Sequence, residues 1–393
     1  MTLTILMPCL NEAETLAYCI DKANGWIKSH NIKAEVVVAD NGSTDQSVEI
    51  AMGRGARVIH VGQRGYGSAL FHGCMAAHGN WIVMGDSDNS YDFSALDLFI
   101  DELERGADLV IGNRFLGGIE AGAMPFKNRY IGNPILSWIG RLLFNSSIRD
   151  FHCGLRGVTK DAFLRMNLCT TGMEFATEMI VKASLLGMNI VEVPTKLAKD
   201  GRSRRPHLRP WRDGWRHLRF MLLLSPRWLF LIPGLLVAMP CLLVCGLLLD
   251  GSLKIGEIYF DIHTLFFSEI GFILGYLSIM CGIIVKKFGA REGLLVDNSL
   301  TLRISDSLAF NYSGLVGLIL VVGGISLGII SLADWREVKF GALNPSQFFR
   351  LVSISGLLLL VGGITFLTSL VLSFLSLPIR NKCMSPKIET YKK

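Results

Sequence analysis

The sequence predicts an α/β Rossmann-like domain followed by an α-helical membrane domain of four transmembrane helices. Two observations support this fold class. Residues 1–227 of the 393-residue chain mix charged, polar and apolar residues, and short β-rich apolar runs alternate there with helix-like segments. Beyond Arg227 come four apolar stretches, each long enough to cross a bilayer, for which about 20 residues suffice.

The alternation in the first part predicts a parallel sheet with helices on both faces. The predicted strands are Leu3–Met7, Glu35–Ala39, Arg57–Val61, Trp81–Gly85, Asp108–Gly112 and 190–194. The predicted helices are Glu12–Trp26, Thr44–Met52, Ser68–Ala77 and Ala95–Leu103. Residues 1–210 form the first predicted domain.

A helix with two contrasting faces is predicted within residues 211–226. One face carries Trp211, Trp215, Leu218 and Leu222 at helical spacing, and the neighbouring face carries Arg212, Arg216 and Arg219. An aromatic and basic amphipathic helix of this kind lies well in a membrane interface. We therefore expect it to dock the first domain onto the bilayer.

The four apolar stretches are 228–249, 263–285, 313–333 and 351–377, within a predicted membrane region of residues 227–379. Apolar runs of this length favour spanning helices over buried core helices. Glu269 lies in the second stretch, and we expect it near the outer interface, where it stays hydrated. The glycine pairs Gly271/Gly275 and Gly324/Gly328 would let helices approach closely in lipid. The spans could also organise a homo-oligomer or guide a lipid tail.

Basic residues between the stretches set the predicted orientation. The loop 286–312 holds four Lys or Arg residues and the tail 380–393 holds five, whereas the connection 250–262 holds Lys254 alone. The positive-inside rule then places both termini and the first domain in the cytosol. We therefore expect an integral membrane protein of a bacterial-type inner or plasma membrane, without a cleaved signal peptide.

Composition also limits the kinds of ligand and partner that the chain is expected to bind. The nine cysteines show no spacing typical of a zinc site and indicate free thiols in a reducing compartment. The formal net charge is +6, and ten Lys or Arg residues against two acids lie between Lys196 and Arg227. A basic run beside a membrane indicates attraction to anionic lipid or to a substrate phosphate. No recognition module for nucleic acid accompanies the charge, so nucleic acid is not an expected partner.

Polar residues collect where the predicted strands end, which is where an open parallel sheet binds ligands. Residues 8–12 follow the first strand, 40–45 the second, 86–88 the fourth, and 113–114 the fifth. Each group alone could cap a helix or form a turn. Four such groups at one edge of one sheet indicate a binding site instead.

Asp86-Ser87-Asp88 is the centre of the predicted chemistry. Two carboxylates one residue apart can hold Mg²⁺ or Mn²⁺, which prefer oxygen ligands, and such an ion neutralises charge on a departing nucleoside diphosphate. Arginines supply further counter-charge because guanidinium groups bind phosphate bidentately. The candidates are Arg114, Arg156 and the run Arg202-Ser203-Arg204, which could equally be a solvated or lipid-facing loop.

Six motifs occur in order along the first part. They are Met-Pro-Cys-Leu-Asn-Glu at 7–12, Ala-Asp-Asn-Gly-Ser-Thr-Asp at 39–45, Gly-Asp-Ser-Asp-Asn-Ser-Tyr-Asp at 85–92, Ile-Gly-Asn-Arg at 111–114, Asp-Phe-His-Cys-Gly-Leu-Arg at 150–156 and Gly-Met-Glu-Phe at 172–175. Over about residues 3–225 this set resembles family 2 glycosyltransferases with the GT-A fold, specifically the polyprenyl-phosphate glycosyltransferases such as dolichol-phosphate mannose and glucose synthases. Two departures matter: Ser90 stands where some relatives carry a glutamine metal ligand, and the Gln-x-x-Arg-Trp motif of processive synthases is absent, which argues for a single transfer.

The resemblance implies roles for these residues. Pro8, Asn11, Glu12 and Asp40 would contact the nucleotide-sugar, Asp86 and Asp88 the metal and diphosphate, and Arg114 and Arg156 the phosphates. The loop of Arg202, Ser203 and Arg204 would close over the donor, and Glu174 and Glu178 would form an acidic pair near the acceptor. Asp150 could orient the acceptor or an arginine, act as a base, or cap a turn.

The predicted reaction is a metal-dependent, inverting transfer of a hexose from a nucleotide-sugar to undecaprenyl or dolichyl phosphate. A phosphate monoester, with a second pKa of about 6, is already a nucleophilic dianion at neutral pH and needs little help from a base. Likeness to the glucose-type branch favours UDP-glucose or another UDP-hexose, with GDP-mannose left open. One alternative is a glycolipid synthase acting on a lipid hydroxyl. Another is a lipid-binding or flippase subunit without catalysis, and the Asp86/Asp88 pair argues against this second alternative.

Overall fold

The computed structural model describes residues 2–203, 210–295, 312–342 and 345–377. These residues divide into two compact units. One comprises the residues up to Ser225 with a short segment from Gly293, and the other runs from Pro226 to Glu292 and includes the later helices. The tail predicted at 380–393 lies outside the described residues.

The first unit is built on a seven-stranded sheet in the order β3-β2-β1-β4-β6-β5-β7. The strands are β1 Leu3–Cys9, β2 Ala34–Asp40, β3 Arg57–His60, β4 Trp81–Met84, β5 Leu109–Asn113, β6 Arg156–Thr159 and β7 Ile190–Pro194. Every residue of β1 is buried, as expected for a central strand with both faces covered. The predicted α/β Rossmann-like GT-A fold is confirmed.

The predicted parallel sheet is wrong at one strand, which was not among the predicted strands. β6 runs antiparallel to both β4 and β5, whereas the remaining pairs are parallel. β6 was missed because its four residues, beginning with Arg156 and containing Gly157, form no apolar β-rich run. Its reversed direction places Arg156 opposite Met84 and Ile111, near the carboxyl ends of β4 and β5.

Helices cover the sheet. They are α1 Leu16–His30, α2 Ser47–Gly53, α3 Tyr66–Ala76, α4 Asp97–Glu104, α5 Arg114–Gly117, α6 Asn133–Phe144, α7 Lys160–Met166, α8 Phe175–Leu185 and α9 Pro210–Leu223, with a π-helical turn at Asn128–Gly132 before α6. The predicted start of the first helix at Glu12 is wrong by four residues. Asn11 has a left-handed backbone, and the Glu12 carbonyl accepts from the amides of Thr15 and Leu16, so residues 10–15 form a turn at the sheet edge.

Among its described residues, the second unit contains four helices long and apolar enough to cross a membrane. A π-helical turn, Arg227–Leu231, leads into α10 Ile232–Leu248, followed by the hairpin β8 Leu253–Ile255 and β9 Ile258–Phe260, α11 Ile262–Arg291, α12 Ser313–Glu337 and α13 Pro345–Leu375. Glycines lie at the helix contacts: a Cβ on Gly275 would stand 2.7 Å from the Gly234 carbonyl oxygen, and one on Gly324 would stand 2.9 Å from that of Ser355. The four predicted spans are confirmed as helices.

Candidate active site

The strand register brings three of the predicted motifs to one edge of the sheet. Cys9 pairs with Asp40 across β1 and β2, and Leu6 pairs with Met84 across β1 and β4. Residues 8–12, 40–45 and 86–88 therefore leave the sheet side by side. The Ser87 hydroxyl donates to the Pro8 carbonyl at 2.7 Å, which fixes the first and third of these segments together.

The first two loops are joined by side-chain hydrogen bonds. Asn11 accepts from the Thr44 amide at 2.7 Å, and the Ser43 hydroxyl accepts from the Asn11 amide at 2.9 Å. The Asp40 carboxylate accepts from the amides of Ser43 and Gly42. Burial alone would raise the pKa of Asp40, but hydrogen bonds from Ser43, His60 and Gly42 together hold that pKa below its ordinary value. Asp40 is thus a fixed anion beside the first loop.

The Asp86 and Asp88 carboxylates have different partners. Asp86 accepts from the Tyr66 hydroxyl at 2.9 Å, whereas Asp88 accepts from the amide and hydroxyl of Ser90 at 3.0 and 2.5 Å. Burial, reinforced by the neighbouring charge of Asp88, raises the pKa of Asp86 to about 6. Concentrated negative charge of this kind is relieved by a bound divalent cation, and the carboxylate oxygens suit Mg²⁺ or Mn²⁺.

Asp86 and Asp88 would offer such an ion two carboxylate ligands. Among the described residues, no group of three or more His, Cys, Asp or Glu side chains could hold a metal. Asp86 and Asp88 would therefore supply the protein carboxylates, with the remaining ligands from donor or water. Ser90 occupies the position of the expected third ligand, and its hydroxyl donates a hydrogen bond to Asp88.

Arg202 lies at the centre of this edge. Its Nε donates to Glu12 Oε2 at 3.0 Å and its Nη2 to Asp88 Oδ2 at 2.8 Å, so one guanidinium joins the first and third loops. Ser203 is held next to it, because its amide and hydroxyl donate to Glu14 at 2.8 and 2.5 Å. The structure therefore brings Arg202 to Glu12 and Asp88. Arg204 lies outside the described residues.

Arg114 and Asp150 form a second, more deeply buried cluster. Arg114 donates through Nε to Asp150 Oδ2 at 2.8 Å, through Nη2 to Oδ1 at 2.7 Å, and through its backbone amide to Oδ2 at 3.1 Å. Asp150 has no exposed surface and Arg114 is 7% exposed. Glu192 accepts from the backbone amides of Arg149 and Asp150, which fixes the loop that carries Asp150.

Arg156 is used within the fold. Its Nε, Nη1 and Nη2 donate to the backbone carbonyls of Cys153, Ala176 and Phe151 at 2.9, 2.5 and 2.8 Å. These bonds tie the 150–156 segment to the start of α8. A phosphate contact for Arg156 stays a prediction, because the described contacts point to a positioning role.

Glu174 and Glu178, predicted as an acidic pair, have separate partners. Glu178 is wholly buried, lies 2.8 Å from Lys182 and accepts from the amides of Cys169 and Thr170. Burial would raise the pKa of Glu178, but the charge and hydrogen bond of Lys182, together with hydrogen bonds from Thr170 and Cys169, lower that pKa. Glu174 instead accepts from Arg216 of α9 at 3.0 Å. Their joint role at the acceptor stays a prediction, and the contacts of Glu178 are those of a buried structural anchor.

Three residues near the site were not singled out from the sequence. Tyr66 donates to Asp86, and the Tyr91 hydroxyl accepts from the Gly154 amide at 2.8 Å. A Cβ on Gly154 would stand 2.5 Å from Asp86 Oδ2, so this position has no room for a side chain. The available signals were the Gly65-Tyr66-Gly67 sequence and the presence of Tyr91 and Gly154 inside the quoted motifs.

A doubly covered α/β sheet with paired carboxylates and arginine at its strand ends defines a class of domain that binds phosphate-bearing ligands. Comparison with known proteins identifies that class. Residues 4–166 match the family model described as glycosyl transferase family 2, and residues 283–376 match the glycosyltransferase family 2 C-terminal transmembrane region.

Individual relatives agree with these matches. The chain is 33% identical to the low-salt glycan biosynthesis hexosyltransferase Agl6 of Haloferax volcanii over 350 residues, which cover 87% of this chain and 82% of that protein. It is also 33% identical to the dolichyl-phosphate hexose transferase of the same organism, over 41% of this chain and 69% of that protein. The chain therefore belongs to glycosyltransferase family 2 and is a glycosyltransferase, as predicted.

Among solved structures, one similar chain is glucosyl-3-phosphoglycerate synthase from Mycobacterium tuberculosis in complex with Mn²⁺ and uridine-diphosphate-glucose. It is 22% identical, with a TM-score of 0.45, over 56% of this chain and 78% of that one.

Proposed function

We propose that the protein transfers a hexose from a nucleotide-sugar to a polyprenyl phosphate at the cytosolic face of a membrane, with inversion and with a divalent cation. UDP-glucose or another UDP-hexose is the favoured donor, and GDP-mannose is the alternative. One observation supports this reaction above others: the Asp86/Asp88 pair, whose Asp88 is joined to Glu12 by Arg202, lies on the same unit as a buried Arg114–Asp150 pair. Two relatives favour a polyprenyl phosphate acceptor: the dolichyl-phosphate hexose transferase of Haloferax volcanii and a dolichol-phosphate mannosyltransferase of Pyrococcus furiosus.

The donor would bind where β1, β2 and β4 end. Pro8, Asn11, Glu12 and Asp40 would contact the nucleoside, and Asp86 with Asp88 would hold Mg²⁺ or Mn²⁺. When bound, the ion neutralises charge on the departing diphosphate. Arg202 would turn from Asp88 towards the donor phosphates, because guanidinium binds phosphate as readily as carboxylate.

The surroundings of Asp150 favour one class of acceptor. Both of its carboxylate oxygens accept hydrogen bonds from Arg114, and its side chain is wholly buried. A base that activates a hydroxyl must reach that hydroxyl, which this arrangement disfavours. A phosphate dianion has no proton to remove. The environment of Asp150 therefore supports a phosphate acceptor over the hydroxyl of a glycolipid synthase, with Asp150 orienting Arg114.

The four apolar helices support a lipid acceptor, since a long isoprenoid partitions into the bilayer and leaves its phosphate at the interface. The distribution of basic residues favours the cytosolic side for the first unit. A role for the helices beyond anchoring is not needed for the transfer itself.

The test is a donor panel with purified full-length protein in lipid nanodiscs. UDP-glucose, other UDP-hexoses and GDP-mannose are each supplied with undecaprenyl phosphate or dolichyl phosphate, and the lipid product is identified by mass spectrometry. We expect a polyprenyl-phosphate-linked hexose with one donor, and no such product in the presence of a chelator. Asp88→Asn should reduce transfer by at least about a hundredfold, because electrostatic stabilisation of developing charge is lost.

The matched control is Asp92→Asn, in the same loop, where Asp92 pairs with Lys22 and is about half exposed. It should keep near-normal activity. Retained activity of Asp88→Asn in the presence of metal, or transfer to a lipid hydroxyl but to no lipid phosphate, would contradict the proposal.

A further inference from the structure

The segment from Phe126 to Leu142 exposes a stripe of large apolar side chains, although it belongs to a well-packed domain. The exposed fractions are 72% for Phe126, 58% for Tyr130, 53% for Ile131, 50% for Ile135, 56% for Trp138 and 49% for Leu142. Ile131, Ile135, Trp138 and Leu142 recur at helical spacing along the π-helical turn and α6. One contiguous face of this helix therefore presents apolar groups away from the domain.

The opposite face of α6 already supplies the packing that the domain needs. Phe144, with Leu136, Ile139 and Leu143, packs against Met221 of α9 and Leu224, which follows α9 directly. Gly140 faces Phe151, whose ring would stand 2.7 Å from a Cβ at that position. A helix that is apolar on both faces is normally buried on both faces. The stripe is thus not required for the fold of this unit, and an exposed patch of this kind marks an interaction surface.

Charge identifies the kind of partner. No Asp or Glu occurs between Glu120 and Asp150, whereas Lys127, Arg129 and Arg141 accompany the stripe. An apolar face flanked by basic residues, with Trp and Tyr among its apolar groups, fits the headgroup region of an anionic bilayer. A second copy of the chain would place these like charges opposite each other.

The chain connection gives an independent reason to choose lipid. α9, against which α6 packs, ends at Leu223, and the first candidate span begins at Arg227. Trp215, Arg216 and Arg219 of α9 are exposed. The last turn of α9 is therefore within a few residues of a membrane-crossing helix, and α6 contacts that turn.

We propose that the stripe Phe126, Tyr130, Ile131, Ile135, Trp138 and Leu142 inserts into the interface of an anionic membrane as a second docking element beside α9. The chain continues from the end of α6 through residues 145–149 to Asp150, so insertion would hold the Asp150 loop at the lipid surface. That consequence rests on the proposed lipid acceptor, whereas the membrane contact itself does not.

The test is site-specific photocrosslinking of the full-length protein in nanodiscs that contain phosphatidylglycerol. Trp138 or Ile135 is replaced by p-benzoyl-phenylalanine, and the adducts are identified by mass spectrometry. We expect lipid adducts at both positions. The matched control is the same replacement at Leu164 of α7, which is 50% exposed and lies outside the stripe, and it should give no lipid adduct.

Either of two results would overturn the proposal. Crosslinked dimers without lipid adducts would assign the stripe to a second copy of the chain, and the absence of any adduct at both positions would show that lipid does not reach it. The crosslink does not require turnover, so an inactive or misassigned enzyme would not disturb this readout.

A kinetic measurement tests the consequence for the acceptor. Trp138→Glu together with Ile135→Glu should raise KM for polyprenyl phosphate in nanodiscs by about tenfold or more, because charged groups enter the interface poorly. KM for a short-chain, water-soluble prenyl phosphate should be unchanged. Equal effects on both acceptors would indicate damage to the active site, for which Leu164→Glu is the control.

Discussion

Two charged clusters of the catalytic unit are built in different ways. At the donor edge, a loop supplies Arg202, which divides its guanidinium between Glu12 and Asp88, and all three side chains keep some exposure. In the second cluster, Arg114 makes three hydrogen bonds to the wholly buried Asp150. A ligand can replace the first set of contacts, whereas the second set is part of the fold. In the proposed reaction, this difference corresponds to a donor side that rearranges and an acceptor side that is pre-organised.

The largest expected effect is at the pre-organised cluster. Asp150→Ala removes the partner of a buried guanidinium and should lower the free energy of unfolding by about 3–5 kcal/mol. Thermal unfolding followed by intrinsic fluorescence would measure this, together with loss of transfer. Asp161→Ala, which breaks the exposed pair with Arg165, should cost less than about 1 kcal/mol. Lost transfer with unchanged stability would instead indicate that Asp150 acts as a base.

A smaller effect, of opposite sign, is expected at the donor edge. Arg202 neutralises Asp88 in the structure, so a divalent cation must compete with it for the same carboxylate. Arg202→Gln should therefore tighten Mn²⁺ binding to the donor-free protein by about tenfold, equivalent to about 1.4 kcal/mol, while weakening transfer. Titration followed by electron paramagnetic resonance measures the binding directly. Lys199→Gln, an exposed change in the same segment, is the control. Weaker Mn²⁺ binding to Arg202→Gln would show that Arg202 does not compete with the metal.

The smallest expected effect concerns the support of the Arg202 loop. Glu14 accepts from the amide and hydroxyl of Ser203, and Glu14→Gln weakens both bonds by removing their charge. We expect the donor KM to rise about fivefold with little change in kcat, because about 1 kcal/mol of loop ordering is lost. Hydrogen exchange at the Ser203 amide should become faster. Glu49→Gln on α2 should change neither quantity, and an unaltered Ser203 exchange rate in Glu14→Gln would remove the basis for this role.

The donor edge could be predicted from the sequence because its information is local. Residues after β1, β2 and β4 share an edge wherever those strands are parallel neighbours, so placing the strands also places Asp40, Asp86 and Asp88. The apolar spans were equally predictable, because crossing a bilayer requires length and apolarity alone.

Other features depend on contacts between distant parts of the chain. Arg202 meets Asp88 across 114 residues, and Arg114 meets Asp150 across 36, with nothing in either local sequence that specifies the partner. Arg156 looked functional because charged residues in motifs are usually near ligands, but its partners are backbone carbonyls, which only the tertiary structure reveals. The i,i+4 spacing of Glu178 and Lys182 was visible in the sequence, whereas the complete burial of Glu178 was not. β6 could not be predicted because its four residues form no apolar run.

In the proposed reaction, the pre-organised Arg114–Asp150 cluster serves an acceptor that is already ionised. This role is tested most directly by comparing one polyprenyl chain in two forms, the phosphate and the free alcohol, at equal density in nanodiscs with the preferred donor. We expect transfer to the phosphate and none to the alcohol, with rates that follow ionisation of the phosphate near pH 6. Transfer to the alcohol at a comparable rate would contradict the account, since it would require a base that the buried Asp150 is not placed to provide.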